Sequence, residues 1–457
     1  MFSLRGIPLP RKTLPFTSEV HRCCFIPKAE LTNSAQLPGW VARLARSAEV
    51  EADTKARVAE ILAAVRAEGL DAALRYTHAF DGLTLKANQL RVAPDEMAEA
   101  LTSLERERPS LVEALRSMAA GIHRFAEAQR GALADLALSL PGGGAVGERW
   151  VPLRSAGVYI PGGRAFYPST LAMTVIPAQV AGVQHIVGVT PPRAEGPDPL
   201  ILAMASLLGL EELITLGGAQ GIAWLAHGEG VDFIAGPGNR FVAEAKRQLV
   251  GQVGIDALAG PTELLILADE SANPARVAED LLAQAEHDPD AAAVVVSDSA
   301  LLLAAIETQL QTRSATSSKR AILDLSLERH GLLLKAPRNL AIAFAEAWAP
   351  EHLELHVKDP ESWIPELRAA GALFIGAASA EAFGDYGVGP NHVLPTSRSA
   401  RFSSPLGVAS FMKRQSLLRL SDADAAALSP WVAELAEAEG LPHHAASARL
   451  RAPHAHT

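Results

Sequence analysis

Imidazole, carboxylate and carboxamide side chains recur at close spacing in the second half of the chain. Gln284 and His287 stand in QAEHDPD, Glu351 and His352 in APEHLEL, Asp385 and His392 in GDYGVGPNH, and Glu439, His443 and His444 near the end. These are ligand types for a divalent metal of borderline softness, zinc above all. Taken singly, each is better explained as a solvated surface side chain. A zinc protease is disfavoured, because its ligand helix needs Glu directly after the first His, whereas His352 and His356 have Glu354 between them. Glu351-His352 lies between a proline and an apolar run. Two titratable groups at such an edge can share a cleft and divide proton transfer between them.

The elements that must position these groups alternate between strand and helix. AGVYI leads into PGGRAFYPS and a helix, ELITL into GGAQG and IAWLAHG, and VDFIA into GPGN and RFVAEAKRQL. That grammar implies right-handed crossovers and a parallel sheet, with ligands at the carboxyl ends of the strands. The loops bearing Gln220 and Asn239 either present helix-opening amides to an anion such as a pyrophosphate or serve only as tight turns. TELLILAD, PARVAEDLLAQAEHDPD, AAAVVVSD and LLLAAIETQLQ repeat the pattern. The fold class is therefore α/β, with a first lobe over 141–263 and a second over 264–395 facing it across a cleft. A helical region over 38–140 supports the lobes, where VEADTKARVAEILAAVRAEGLDAALRYTHAFDG reads as amphipathic helix. Gly142, Gly144 and Gly147 form a literal G-x-G-x-x-G, but the strand-like ERWVPL that follows makes it a hairpin turn instead of a dinucleotide fingerprint. Residues 396–457 form a small helical tail that must pack on the body or on a partner subunit.

Composition narrows the function classes. Among 457 residues, 49% are apolar and 20% charged, which describes a globular chain with a large core. Acids exceed bases by 51 to 41, so small molecules are favoured over nucleic acid as partners. The two cysteines, Cys23 and Cys24, are adjacent and rarely bridge, which fits a reducing cytoplasm. The uncharged stretch between Arg164 and Arg193 is divided by Pro177, Gln179, Gly182, Gln184 and His185. It reads as a buried helix and strand, and no membrane association is expected. Residues 1–37 read as a basic, proline-broken and poorly ordered extension, with an organellar presequence as the other reading.

Taken together and in order, nine segments resemble the histidinol dehydrogenase family. They are VYIPGGRAFYPSTLAMTVIPAQVAGV, TLGGAQGIAWLAHG, FIAGPGNRFVAEAKRQL, DALAGPTELLILAD, LLAQAEHDPDA, APEHLEL, ALFIGAASAEAFGDYGVGPNHVLPT, ARFSSPLGVASFMKR and AEAEGLPHHAASARLR. The resemblance implies two incomplete Rossmann-like lobes and a cytoplasmic enzyme that uses zinc and NAD to oxidise L-histidinol to L-histidine through an aldehyde, the last step of histidine biosynthesis. By motif it assigns the metal ligands to Gln284, His287, Asp385 and His444, the last chosen over His443 because it lies five residues after Glu439. It assigns acid/base work to Glu351 and His352, substrate contacts to Thr262, His392 and Glu439, and NAD contacts to Tyr159, Gln220 and Asn239. It also implies a homodimer whose exchanged tails carry Glu439 and His444 into the partner's site, and a metal that expands toward six ligands when substrate joins. No cysteine lies in the matched region, so water must add to the aldehyde, with Glu351 to activate it. A related dehydrogenase of another small polyol, such as sulfopropanediol, shares the scaffold. A zinc hydrolase is the alternative from a different class, and it would turn over without NAD.

Overall fold

The computed structural model describes residues 26–44, 51–162 and 167–452. The described chain divides into two compact units, one of residues 26–44 with 261–379 and one of residues 51–260 with 380–452. In chain order the strands are β1 (Lys28–Glu30), β2 (Leu136–Ser139), β3 (Ala145–Pro152), β4 (Ser155–Tyr159), β5 (His185–Thr190), β6 (Glu212–Thr215), β7 (Phe233–Ala235), β8 (Gly254–Ile255), β9 (Glu263–Ala268), β10 (Ala292–Ser297), β11 (Leu332–Lys335), β12 (His352–His356), β13 (Ala372–Ile375) and β14 (Met412–Arg419).

The larger unit is built on a parallel sheet of order β6-β5-β4-β7-β8. Helices Pro168–Ala181, Pro199–Leu207, Gly218–His227 and Arg240–Leu249 make the crossovers. Ala156 and Val158 face one core and Tyr159, Val187 and Val189 another, as expected of a parallel sheet covered on both faces. The strand order reverses between β4 and β7, so their carboxyl ends diverge and leave a crevice. A separate antiparallel sheet, β14-β3-β2, contains the hairpin expected at Gly142–Gly147.

The smaller unit repeats this order as β11-β10-β9-β12-β13, again all parallel, with β1 added at the β11 edge. β9, β10 and β12 are buried along their whole length. Ile26, Leu264 and Val277 pack on one face, and Leu31, Leu265 and Trp348 on the other.

Four expectations change. Cys23 and Cys24 lie outside the described residues, but the extension read over 1–37 does not run to residue 37. Lys28 pairs with Leu333, and Ile26 and Leu31 are fully buried on either side. A three-residue edge strand with two charged side chains has no apolar alternation to betray it, and its stability comes from β11. The helical region read over 38–140 is divided, since Val41 and Leu44 of helix Leu37–Leu44 join the smaller unit's core. Its long amphipathic stretch is two helices, Ala52–Glu68 and Leu70–Asp81, broken at Gly69 with φ +64. The second lobe ends at residue 379, not 395. Helix Glu381–Tyr386 and the loop after it belong to the larger unit, where Gly387 passes so close to helix Pro109–Ala132 that a Cβ on Gly121 would lie 2.2 Å from its carbonyl oxygen. Asn391 Nδ2 there donates to Met173 O at 2.6 Å. Finally, the tail is not wholly helical: β14 pairs with β3 over eight residues before helices Asp422–Ala438 and Pro442–Arg449. Its sequence MKRQSLLR alternates weakly because seven of its eight residues are exposed.

Candidate active site

In the smaller unit, four of the expected residues converge at the amino ends of β9 and β12. Helix Arg338–Trp348 stops at Ala349, whose left-handed backbone (φ 52) turns the chain and delivers Pro350 and Glu351 to the start of β12. Glu351 Oε2 accepts from Thr262 Oγ1 at 2.6 Å and from Glu263 N at 3.0 Å. Gln284 Nε2 in turn donates to Thr262 Oγ1 at 2.9 Å. The carboxylate of Glu351 is thus held in one orientation by a chain of donors. His352 presents Nδ1 to Glu263 O at 3.1 Å. A carbonyl only accepts, so Nδ1 carries the proton and Nε2 is left as the basic nitrogen. Glu351 and His352 are 7% and 4% exposed, with 3.7 Å between Oε2 and Nδ1.

Gln284 closes helix Pro274–Ala285, and His287 stands exposed three residues on. With Nε2 committed to Thr262, the Oε1 of Gln284 is fully buried and accepts no hydrogen bond from the described residues. An orphaned carbonyl oxygen in a protein interior calls for an explanation, and a cation is one that suits a hard oxygen donor at a helix carboxyl terminus. Deeper along the same faces lie Glu354 and His356 of β12 and Asp280, one helical turn before Gln284. His356 Nε2 is 3.1 Å from Glu354 Oε2 and 3.6 Å from Asp280 Oδ2. Burial and the neighbouring Glu354, opposed by His356, push the Asp280 carboxyl up to about 7. Sequence reasoning missed Asp280, although its i, i+4 spacing to Gln284 puts both on one helix face.

The larger unit holds the other expected residues in separate places. Asp385 lies on helix Glu381–Tyr386, with His392 Nδ1 at 3.7 Å from its Oδ1 and Thr170 Oγ1 at 3.5 Å from His392 Nε2. Glu381, one turn earlier and also missed, brings a carboxylate oxygen within 4.8 Å of that of Asp385. Glu439, His443 and His444 are exposed around the turn between the last two helices. Tyr159, Gln220 and Asn239, by contrast, line one cavity of about 570 Å³ at the carboxyl ends of β4, β6 and β7. The Tyr159 hydroxyl accepts from Gly218 N at 3.1 Å, and burial pushes its phenol up to about 12, so it stays protonated. Asn239 Oδ1 caps helix Arg240–Leu249 through Phe241 N and Val242 N.

Arg57, Phe80 and Asp81 also wall this cavity, and they come from the helical region expected only to support the core. Burial pushes the Asp81 carboxyl up. Gly82, with its left-handed cap (φ 69), ends that helix directly after Asp81, but no local feature marks Phe80 or Asp81 as facing a cavity. The G-x-G-x-x-G turn is spoken for within the unit: Asp424 accepts from Gly142 N and Gly144 N, both at 2.7 Å. Burial works against that carboxylate, but bonds from Ser421 and these two amides hold it below the usual range.

The histidinol dehydrogenase family model matches residues 44–452. The Caulobacter vibrioides histidinol dehydrogenase is 45% identical over 407 residues, which cover 88% of this chain and 93% of that protein. The chain belongs to the histidinol dehydrogenase family. The Rhodospirillum rubrum member is 42% identical over 430 residues, 93% of this chain and 98% of that protein. A crystal structure of the family from Elizabethkingia anophelis superposes with a TM-score of 0.87 at 30% identity, covering 94% of this chain and 99% of that one. Membership makes the chain an oxidoreductase with the α/β fold expected from its strand and helix alternation. The family's matched span begins at residue 44, after the edge strand β1.

Proposed function

We propose that this chain catalyses the NAD- and zinc-dependent four-electron oxidation of L-histidinol to L-histidine through L-histidinaldehyde, the last step of histidine biosynthesis, in the cytoplasm. The observation that carries this reading is the Glu351–His352 pair, with the His352 tautomer set by Glu263 O so that Nε2 is basic. The residues that would hold zinc are Gln284, His287, Asp385 and His444, and the buried, unpartnered Oε1 of Gln284 fits that use. Thr262, His392 and Glu439 would contact the substrate, and Tyr159, Gln220 and Asn239 the dinucleotide, in keeping with their shared cavity.

When bound, zinc orients the substrate's imidazole and amine and NAD receives the hydrides. His352 Nε2 takes the hydroxyl proton as the first hydride leaves the carbinol carbon, giving the aldehyde. Glu351, steadied by Thr262 and Glu263, takes a proton from water as its oxygen adds to the aldehyde carbon. Loss of the second hydride, to a second NAD, and of the hydrate's remaining hydroxyl proton, to His352 Nε2 once that nitrogen has released its first proton to solvent, leaves the carboxylate. The working form is a homodimer in which the tail carries Glu439 and His444 into the partner's site. Exposed Leu136, Leu138 and Leu418 on one face of the antiparallel sheet, with exposed Trp431 and Leu435 on the tail, support such an interface.

The test is to mix zinc-loaded protein with L-histidinol and NAD and count NADH per histidine formed. Two NADH per histidine, abolished by a chelator, is the expected result. No NADH from a folded, metal-replete sample would overturn the reading and turn attention to sulfonated and other small diols. Turnover of a hydrolysable substrate without NAD would point to a zinc hydrolase.

A further inference from the structure

One ion pair whose side chains are buried has no part in the steps above. Lys246, on the second turn of helix Arg240–Leu249, and Asp256, just after β8, have side chains 2% and 3% exposed that are bonded to each other through Nζ and Oδ1. Both also grip the same residue. Asp256 Oδ2 accepts from Gly236 N at 2.7 Å, and Lys246 Nζ donates to Gly236 O at 3.0 Å. Ala257 N adds a bond to Asp256 Oδ1 at 2.7 Å. Gly236 opens the GPGN loop, and it is the residue that can least be replaced there. Its φ is +115, and a Cβ on it would lie 2.1 Å from Tyr159 O. The loop is therefore pressed against the backbone of Tyr159 on one side and held by two charges from behind. Three residues on, Asn239 commits Oδ1 to its helix cap, which directs its Nδ2 as the side chain's donor for a ligand. Tyr159 and Asn239 both line the cavity.

Desolvating an ammonium and a carboxylate costs more than two apolar side chains of the same size would, so such a pair is poorly explained as a stabiliser. What it supplies is geometry: the amide and the carbonyl of one peptide-bearing residue are both fixed, at the switch point between β4 and β7 where the dinucleotide must approach the backbone. Resting on the functional reading above, we propose that Lys246 and Asp256 are positioning residues for the dinucleotide, acting through Gly236 to hold the Asn239 donor at its place in the cavity wall. Neither touches the ligand.

The experiment compares wild type, Lys246→Met, Asp256→Asn and the double variant Lys246→Met/Asp256→Leu by calorimetric titration of NAD and, separately, of L-histidinol into zinc-loaded protein. Amide exchange is followed at Gly236, Gly238 and Asn239. The expected result is NAD affinity about tenfold weaker in each single variant, the scale of one charge-assisted hydrogen bond, with L-histidinol affinity within about twofold and faster exchange confined to the loop. The double variant removes both charges, so it folds without a lone buried ion and keeps the weakened NAD binding. NAD affinity within about twofold of wild type in the folded variants, or equal weakening of both ligands, would overturn the proposal. A wild type that binds histidinol but no NAD would instead bring down the cavity's assignment, and the clamp with it.

Discussion

The two parallel sheets share one strand order, yet they concentrate their candidate chemistry at opposite ends. In the larger unit, Tyr159, Gln220 and Asn239 stand at the carboxyl ends of β4, β6 and β7, around a cavity. In the smaller unit, Thr262, Glu351, His352 and Gln284 meet at the amino ends of β9 and β12. The difference follows from helix polarity. At the carboxyl ends of a parallel sheet the crossover helices begin, so their free amides favour anionic groups such as a pyrophosphate. At the amino ends the same helices finish, and carbonyls joined by carboxylates and an orphaned amide oxygen favour a cation. Repeating a fold does not repeat its site, because each end of the sheet offers the opposite charge.

Substitutions that act on one end alone probe this division of labour. The largest effect is expected from His352→Asn, which removes the basic Nε2. Turnover of histidinol should fall roughly a hundred- to ten-thousandfold, while NAD binding measured directly is retained. A comparable loss of NAD affinity would break the comparison. Gln220→Leu is the reciprocal case. It should raise KM for NAD about tenfold and leave zinc content, measured by atomic absorption, at the wild-type level.

Smaller effects sharpen the contrast. Asp424→Ala should lower the melting temperature by a few degrees, since two amides of the glycine turn lose their acceptor, without changing NAD affinity. A weakened NAD complex would restore the G-x-G-x-x-G turn as a nucleotide loop. The subtlest test uses Asp280, whose carboxyl is raised from 3.8 to about 7. Between those values the folded chain keeps a proton that the unfolded chain has released, so this group makes stability fall as pH rises through that window and adds no further slope above it. Asp280→Asn should flatten melting temperature against pH from about 4 to 7. An unchanged profile would mean that Glu354 and His356 hold that proton between themselves.

Much of this was legible before any coordinates. Apolar runs such as ELLILA and AAVVVS announce strands buried on both faces, and the loops GGAQG and GPGN announce the turns where helices open. The resemblance carried by nine ordered segments identified the family. Less legible were β1 and β14, whose side chains are charged or exposed and whose pairing is set by strands more than a hundred residues away. The pocket wall from Arg57, Phe80 and Asp81 was hidden for a similar reason, as nothing local to an amphipathic helix says which of its residues meets a distant cavity.

By itself, then, the sequence determined the α/β alternation, the family and the residue types available for proton transfer, because these depend on local periodicity and on motifs that are contiguous in the chain. Only the tertiary structure decided that Glu263 O would set the His352 tautomer, that Gln284 Oε1 would be left unsatisfied, that Asp424 would occupy the glycine turn, and that the two sheets would use opposite ends. Each of those outcomes is a hydrogen bond made, or left unmade, between groups that packing brings together from separate elements, and burial is what gives it weight.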